Sequence, residues 1–437
     1  MLVAVVAAVA VYFLEIKDAK PRDETPDSSR PAFTFKREDI TSIAIKRPAG
    51  NVVLESHDGK WQLKEPVAAP VNDSAVDSLV TDITNARVER TMTASAEETK
   101  SFGLSEPAVT VEVKLKDGKQ HRIRLGSKDF SNLSSYAYLD DAKEVSLVPA
   151  SLLTSADKSV NDLRDLTVLG GLSQYDVSNV TIKNSNGTFT LSKSGGDWVL
   201  KTPQEVPADE TEVSSILSDL TSAKATEVAS ESGTDLAAFG LDKPVINIAA
   251  QLSAGGEKQF SIGTTKSGET TNYYAKSSDR APVFKVDSAL YEKLNAKPSS
   301  LRSKQVVKLN SDNLNRIWIK NPNTTVQAEK NSEGKWIIKE PKEQKDKEVI
   351  ASKLTDAFES SKATEVIDKP SASILSKLAK PAIEARYTTK DGKTTIVKVS
   401  AADGDDVYAR VEGSPTVFKV NKQLLDTLSF KATDLTM

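Results

Sequence analysis

Two histidines, His57 and His121, are the only imidazole side chains in the sequence, and histidine is the residue that most readily transfers protons near neutral pH. One lies beside a predicted hairpin turn and the other lies in a predicted strand. A general base or a metal ligand needs a second group that fixes its orientation, and no Asp or Glu is spaced to supply one. The sequence therefore predicts solvated surface positions for both.

Two Ser-x-x-Lys sequences, Ser155 to Lys158 and Ser332 to Lys335, match the spacing of a serine nucleophile with a lysine base. The first lies in a predicted helical segment and the second in a predicted hairpin turn. Such matches arise by chance in a chain rich in both residue types. We therefore predict no nucleophile at either place.

The cluster at residues 403–406, Asp-Gly-Asp-Asp, offers carboxylates that could bind calcium. It lacks the spacing of an EF-hand loop, and a solvated turn is the simpler interpretation. No Gly-rich phosphate loop, dinucleotide fingerprint or His-Glu-x-x-His motif occurs in the sequence. We predict no catalytic residue, no cofactor and no metal site.

The composition excludes further classes of site. The chain has no cysteine, so disulfides, thiolate metal sites, cysteine nucleophiles and a lipid-modified cysteine are all excluded. Its formal net charge is -3, and no basic stripe is interleaved with aromatic residues. Proteins that bind nucleic acid usually carry such a stripe, so nucleic acid is not an expected partner.

The first residues, Met1–Leu14, carry no polar side chain except Tyr12. As a helix they would span about 21 Å, which is less than the roughly 30 Å hydrocarbon core of a bilayer. We predict a membrane anchor over residues 1–17, with an apolar run too short to span alone. A signal peptide cleaved after Ala8–Ala10 and a cytosolic hydrophobic arm are the alternatives. Residues 18–34, with prolines among charged residues and serines, are predicted to form a disordered stalk.

A tandem repeat dominates the rest of the chain. The motif Trp-x-(Leu/Ile)-Lys-x-Pro occurs three times, at intervals of 137 and 138 residues. A second motif, Leu-x-x-Pro, recurs with a matching period, which predicts three homologous units. The repeat-signature residues are Trp61, Pro66, Leu104, Pro107, Trp198, Pro203, Leu241, Pro244, Trp336, Pro341, Leu378 and Pro381.

Each unit contains strand and helix signals. The alternation of Ile43 and Ile45 with polar residues is typical of a half-buried strand. The dipeptide Asp58-Gly59 predicts a hairpin turn that places the motif tryptophan on the return strand. After the motif proline, residues 76–83 carry apolar side chains at helical spacing.

These signals predict an α+β fold in which an N-terminal hydrophobic helix precedes three tandem homologous units. Each unit is expected to be mostly antiparallel β-sheet with about two helices. We place the units at residues 35–168, 169–306 and 307–437.

The motif tryptophans allow two interpretations. A tryptophan on a strand can stack on a sugar ring, but next to a proline that leads into a helix it more often closes the domain core. Recurrence in three units favours a structural role, because catalysis usually needs one site rather than three equal ones. We therefore predict that the repeat-signature residues are structural and that the protein is not an enzyme.

The two motifs and the Tyr-Ala and Val-Phe-Lys-Val segments that follow them resemble family 4340 of the bacterial domains of unknown function. The resemblance covers nearly the whole chain. The third copy departs from it, with Lys377 before Leu378 and with Ser400 in place of a strand-end glycine, so its turn geometry is in question. The resemblance implies a short membrane anchor, repeated extracytoplasmic units and genes near those of gliding-type ABC transporters.

On this basis we expect a membrane-anchored extracytoplasmic accessory or scaffold protein that works with an ABC-type, gliding-like transport system. A permease or an auxiliary subunit would be its protein partner, and the sequence identifies no small-molecule ligand. The expected location is the bacterial cytoplasmic membrane, crossed once, with the bulk of the chain in the periplasm. The alternatives are a module that binds envelope carbohydrate or polymer through the motif tryptophans, and an enzyme that acts on the envelope.

Overall fold

The computed structural model describes residues 29–350 and 352–436. The predicted membrane anchor and residues 18–28 of the predicted stalk lie outside the described residues. Among the described helices, none is both long and apolar enough to cross a membrane. The end of the predicted stalk has regular structure, because Arg30–Pro31 pairs with Arg87–Val88 and the Phe33 side chain is buried in the core of the first repeat.

The first repeat contains eleven strands and four α-helices. In chain order they are β1 Arg30–Pro31, β2 Ile40–Lys46, β3 Val52–His57, β4 Lys60–Glu65, β5 Ala69–Pro70, α1 Asp73–Thr84, β6 Arg87–Val88, β7 Arg90–Met92, α2 Ala96–Ser101, β8 Val109–Leu115, β9 Gln120–Lys128, β10 Ser134–Leu139, β11 Val145–Pro149, α3 Ala150–Ala156 and α4 Val160–Leu163.

Nine of these strands form one antiparallel sheet in the order β5-β4-β3-β2-β8-β9-β10-β11-β7. The predicted hairpin between β3 and β4 is confirmed. Asp58 and Gly59 have φ angles of 51° and 79°, the pair of positive angles that a two-residue type I′ turn requires. The turn places Trp61 on the return strand opposite Ser56.

The second repeat has the same succession of strands. Its elements are β12 Val177–Asn184, β13 Gly187–Ser194, β14 Asp197–Thr202, β15 Val206–Pro207, α5 Glu210–Thr221, β16 Glu227–Ser230, β17 Ile246–Leu252, β18 Glu257–Ser267, β19 Thr270–Ser277, β20 Val283–Val286, α6 Ser288–Leu294 and α7 Pro298–Leu301. Strands β12 to β15 pair successively, as do β18, β19, β20 and β16, all antiparallel.

The third repeat contains β21 Leu314–Lys320, β22 Thr325–Lys330, β23 Trp336–Glu340, α8 Ser352–Ser360, β24 Glu365–Ile367, α9 Ala372–Ala379, β25 Ile383–Thr389, β26 Thr394–Val399, β27 Asp406–Val411, β28 Val417–Asn421 and α10 Gln423–Leu428. Its eight-stranded sheet follows the order β23-β22-β21-β25-β26-β27-β28-β24. The predicted α+β class with mostly antiparallel sheet is therefore confirmed.

The chain forms two compact units that do not coincide with the repeats. The first unit contains the described residues up to Ser173, Asp219–Ile248 and Lys258–Leu294. The second contains Gln174–Ser218, Ala249–Glu257 and Asn295–Met437. The second repeat therefore contributes residues to both units.

The described residues hold ten α-helices, three or four in each repeat where about two were predicted. Three of the four additional helices, α2, α4 and α7, have only four to six residues, which is too short to show an apolar stripe. Ser95 and Ser159 are the N-cap residues of helices α2 and α4, and each hydroxyl group accepts a bond from a backbone N–H three residues later, at 3.2 Å. These N-caps supply partners for backbone groups that a short helix leaves unpaired.

The longest helix of the first repeat packs its predicted apolar stripe into the core. Val76, Leu79, Val80 and Ile83 are fully buried. Each such side chain contributes roughly 1.5–3 kcal/mol to stability by leaving water. The corresponding helices α5 and α8 bury the same face, which explains why the stripe recurs with the repeat.

The Leu-x-x-Pro turn differs between the copies. A Cβ atom on Gly126 would lie 2.1 Å from the Phe102 carbonyl oxygen, and one on Gly263 would lie 2.4 Å from that of Phe239, so only glycine fits there. In the third repeat helix α9 continues to Ala379, past Leu378 of this turn. Ser400 stands at the position of Gly126 and Gly263. The Ser400 hydroxyl accepts a bond from Tyr408 N at 3.0 Å.

Candidate functional site

The structure separates the two histidines. His57 is exposed, as predicted. His121 is largely covered, because its ring lies 5.0 Å from the ring of Phe35 and 5.2 Å from that of Phe33, and its Nδ1 atom is 3.0 Å from Asp140. The solvated position predicted for His121 is therefore wrong, since the segment that covers it comes from a distant part of the sequence.

The other chemical candidates are bonded within the protein. The Ser155 hydroxyl is buried and donates to the Ser151 carbonyl at 3.0 Å. Each carboxylate of the 403–406 cluster pairs with a lysine: Asp403 with Lys377, Asp405 with Lys422, and Asp406 with Lys419. Among the described residues, no group of three or more His, Asp or Glu side chains could hold a metal ion.

The motif tryptophans Trp61, Trp198 and Trp336 are buried, and the peptide bond before the motif proline is cis in all three copies. Leu104, Leu241 and Leu378 of the second motif are buried as well. The structure thus places most of each of these side chains in the interior, with at most 8% of a motif tryptophan exposed.

The segment that joins the first two repeats pairs with both of them. Asn72 N donates to the Leu163 carbonyl at 2.9 Å and Asp165 N donates to that of Pro70 at 2.9 Å. On the other side, Ala225 N donates to Leu166 O at 2.9 Å. We call this arrangement the first junction. All of its residues belong to the first compact unit.

The second junction repeats these bonds one period later. Asp209 N donates to the Leu301 carbonyl at 2.8 Å, Ser303 N donates to Pro207 O at 2.8 Å, and Ala363 N donates to Lys304 O at 2.8 Å. All of these residues belong to the second compact unit. Because each joining segment is bonded on both sides, it holds its two neighbouring repeats together as an additional short strand would.

An arginine at each junction forms a two-pronged ion pair with a carboxylate of the following repeat. At the first junction the Arg164 guanidinium donates to both Glu231 oxygens, at 2.6 and 3.0 Å. At the second junction Arg302 donates in the same manner to both oxygens of Asp368, one of them at 2.6 Å. The Arg164 side chain is 2% exposed and that of Arg302 is 14% exposed.

Each junction has one more side chain that donates hydrogen bonds, and this side chain differs between the two junctions. At the first junction Arg280 pairs with the Asp165 carboxylate at 3.1 Å and also donates to the Asp165 carbonyl at 3.1 Å. At the second junction the Thr416 hydroxyl donates to Asp368 at 3.0 Å. The hydrogen bonds from Arg302, followed by the bond from Thr416, hold the pKa of the Asp368 carboxyl below its usual value despite its partial burial.

A groove opens beside each junction. The first groove has a volume of about 1030 Å³ and is lined by Lys60, Trp61, Asn72, Arg164, Asp165 and Lys224, among others. The second groove, of about 560 Å³, is lined by the equivalent residues Asp197, Trp198, Asp209, Arg302, Ser303 and Lys362, with Lys308 beside them. The two grooves are therefore the same structural feature in successive repeats.

The family described as "Domain of unknown function (DUF4340)" matches residues 61–201 and 198–381. The chain belongs to this family. The two DUF4340 matches begin at Trp61 and Trp198, the first two motif tryptophans, and each match contains the joining segment of one junction. No curated protein matches the chain.

Two solved structures from Pseudomonas aeruginosa show a weak likeness to this DUF4340 protein. One is a DNA polymerase sliding clamp with ligand, at 10% identity and a TM-score of 0.13, covering 89% of this chain and 92% of the clamp. The other is the DNA polymerase III subunit beta, also at 10% identity and a TM-score of 0.13, covering 88% and 92%. A TM-score this low supports no statement about fold or function.

The junction arginines are not among the residues predicted from the sequence motifs. A signal for them exists, because Leu163-Arg164 and Leu301-Arg302 share the repeat period. Their partners give a weaker signal. Glu231 and Asp368 are also separated by one repeat period, but they are different residue types.

Proposed function

We propose that this DUF4340 protein is a scaffold that binds other proteins through its repeats and catalyses no reaction. The observation that carries the proposal is the repetition of the junction, with its hydrogen bonds and its arginine–carboxylate pair. Successive repeats held in this manner leave a groove beside each junction. Tandem-repeat proteins commonly bind partners on the surfaces that neighbouring repeats build together.

The residues that could have carried another function support the same conclusion. The three motif tryptophans are buried, which removes the stacking platforms that a carbohydrate-binding module would need. The acidic cluster at residues 403–406 is neutralised by three lysines. We therefore favour protein partners over an envelope polymer.

For the partner and the location we propose what the family resemblance implies. The protein would be held at the bacterial cytoplasmic membrane by its apolar N-terminal segment, with the repeats in the periplasm. There it would act as an accessory subunit of an ABC-type, gliding-like transport system. The apolar run Met1–Leu14 is the sequence feature that supports this location.

The test is affinity purification of the tagged full chain from membranes extracted with a mild detergent, followed by mass spectrometry. We expect a permease or an auxiliary subunit of an ABC-type transporter to be enriched over an unrelated single-pass protein with the same tag. Repeated failure to enrich any transporter subunit would argue against the proposal. Alkaline phosphatase fused to the C-terminal end tests the location, since this reporter is active only in the periplasm.

A further inference from the structure

The two grooves occupy equivalent places but differ in charge. The first is lined by three cationic and two acidic side chains, and the second by three cationic and five acidic side chains. The difference arises at equivalent positions one period apart. Lys60 corresponds to Asp197, and Asn72 corresponds to Asp209.

The second groove neutralises its own lysines. Lys362 lies 3.7 Å from Asp209, and Lys308 lies 2.6 Å from Asp197. Both acidic residues come from the same repeat, which lies across the groove from the two lysines. The chain therefore supplies the carboxylates that these lysines need.

The first groove retains a lysine but lacks those carboxylates. Lys224 corresponds to Lys362, but the groove that it lines has Asn72 at the position of Asp209. Lys60 adds a further positive charge. Within the described part of the chain neither Lys60 nor Lys224 forms an ion pair, and both are exposed.

The two acidic residues of the first groove do not compensate for these lysines. Asp165 is already paired with Arg280. Asp73 lies in the first turn of helix α1, where a negative charge complements the positive end of the helix. The first groove is therefore the place where an external carboxylate would complete the pattern found in the second.

We infer that the first groove binds an extended acidic segment of a partner protein. This inference rests on the proposed scaffold function and names the chemistry of its partner. A peptide fits better than a small anion because the groove is large and its walls include the accessible side chains of Pro70 and Leu166. Such walls accept apolar side chains, while Lys60 and Lys224 at the rim attract carboxylates and favour acidic partners over others.

Fluorescence anisotropy with the purified full chain tests the inference. The probe is a fluorescein-labelled hexapeptide of alternating glutamate and leucine, and the control peptide has lysine in place of glutamate. We expect only the acidic peptide to bind the wild-type chain. The double variant Lys60→Asp/Lys224→Glu should raise the Kd for the acidic peptide by about tenfold or more. Equal binding of the two peptides would overturn the inference.

Matched variants exchange the charge pattern of the two grooves. Asn72→Asp gives Lys224 the internal partner that Lys362 has. Aspartate caps a helix as well as asparagine does, so we expect weaker peptide binding with the fold intact.

The reciprocal variant Asp197→Lys/Asp209→Asn should create a second peptide site and raise the stoichiometry from one to two. Lys308→Asp/Lys362→Glu, confined to the second groove, should leave the Kd within about twofold.

Two further outcomes would overturn the inference. One is a loss of peptide binding in the second-groove variant as large as that in Lys60→Asp/Lys224→Glu. The other is complete displacement of the peptide by inorganic phosphate at an equal concentration, which would make the groove a small-anion site.

The affinity purification separates this inference from the scaffold proposal. If the wild-type chain and the Lys60→Asp/Lys224→Glu variant recover the same transporter subunits, the groove inference fails and the scaffold proposal stands. If the wild-type chain recovers none, the scaffold proposal fails whatever the peptide measurements show.

Discussion

The two junctions are alike in backbone and unlike in side chains. The hydrogen bonds that Asn72, Asp165 and Ala225 make at the first junction are made by Asp209, Ser303 and Ala363 at the second, with lengths that agree within 0.1 Å. The side chains around them diverge, because the first junction adds a second arginine and leaves its groove lysines unpaired. The second adds a threonine and pairs its groove lysines with its own carboxylates.

This difference shows which part of a tandem repeat is fixed and which part is free to vary. The backbone bonds need only the right φ and ψ angles, so any residue that tolerates them preserves the junction. Exposed charges contribute little to stability, so they can change between copies without loss of fold. The junctions therefore share an architecture, while each groove has its own binding chemistry.

The largest expected effect comes from the buried junction arginine. Arg164→Ala should lower the free energy of unfolding by about 2 to 3 kcal/mol, which is less than for a fully buried pair because Glu231 is 48% exposed. Arg302→Ala should cost less, since Arg302 is itself more exposed. Hydrogen exchange of residues 224–231 and 362–368 measures the two effects separately. Equal losses at both sites would contradict this ranking.

The second arginine of the first junction should have the next largest effect. Arg280→Ala removes an ion pair and two hydrogen bonds to backbone carbonyls, and we expect a loss of about 2 kcal/mol. Thermal unfolding compared with Lys285→Ala, which lies on the following strand β20 and removes only an exposed ion pair with Glu227, measures it. If the two variants are equally stable, Arg280 does not support the junction.

The second junction relies instead on a hydroxyl group. Thr416→Val keeps the shape of the side chain but removes its bonds with Asp368 and Arg302, so we expect a loss of about 1 kcal/mol. Thr416→Ser, which keeps the hydroxyl, is the control and should retain most of the stability. Faster hydrogen exchange at residues 362–368 in the valine variant alone would support this role.

The smallest expected effect is the loss of stability of the second junction at acid pH. The pKa of Asp368 is lowered in the folded protein by Arg302, so its ionised form stabilises the second junction. This stabilisation is present above the unfolded aspartate pKa of about 3.9 and disappears as the pH falls through the lower folded value. Because Asp368 is one-third exposed, the change should be below about 1 kcal/mol.

Hydrogen exchange at residues 362–368 between pH 5 and pH 3 tests this dependence. The wild-type second junction should lose protection on acidification after correction for the intrinsic exchange rate. Asp368→Asn should be less protected at pH 5 and should change less over the same range. An identical pH response in both proteins would exclude Asp368 as its source.

Much of the fold could be predicted because it depends on local signals that the repeat presents three times. Asp58-Gly59 specifies a hairpin through its own backbone angles, and residues 76–83 form a helix through their spacing. The environment of His121 could not be predicted in this manner. Phe33, which covers it, is 88 positions away in the sequence and belongs to a stretch whose composition resembles a stalk.

The sequence by itself determined the period, the α+β class and the family, because each depends on residue types at regular spacing. Only the tertiary structure decided that Arg164 meets Glu231 across 67 positions, and that Lys224 lines a groove with Asn72 while Lys362 pairs with Asp209. Whether a charge is paired depends on distances of a few ångströms between distant segments. Those distances are fixed by the packing of the repeats, which no local pattern in the sequence encodes.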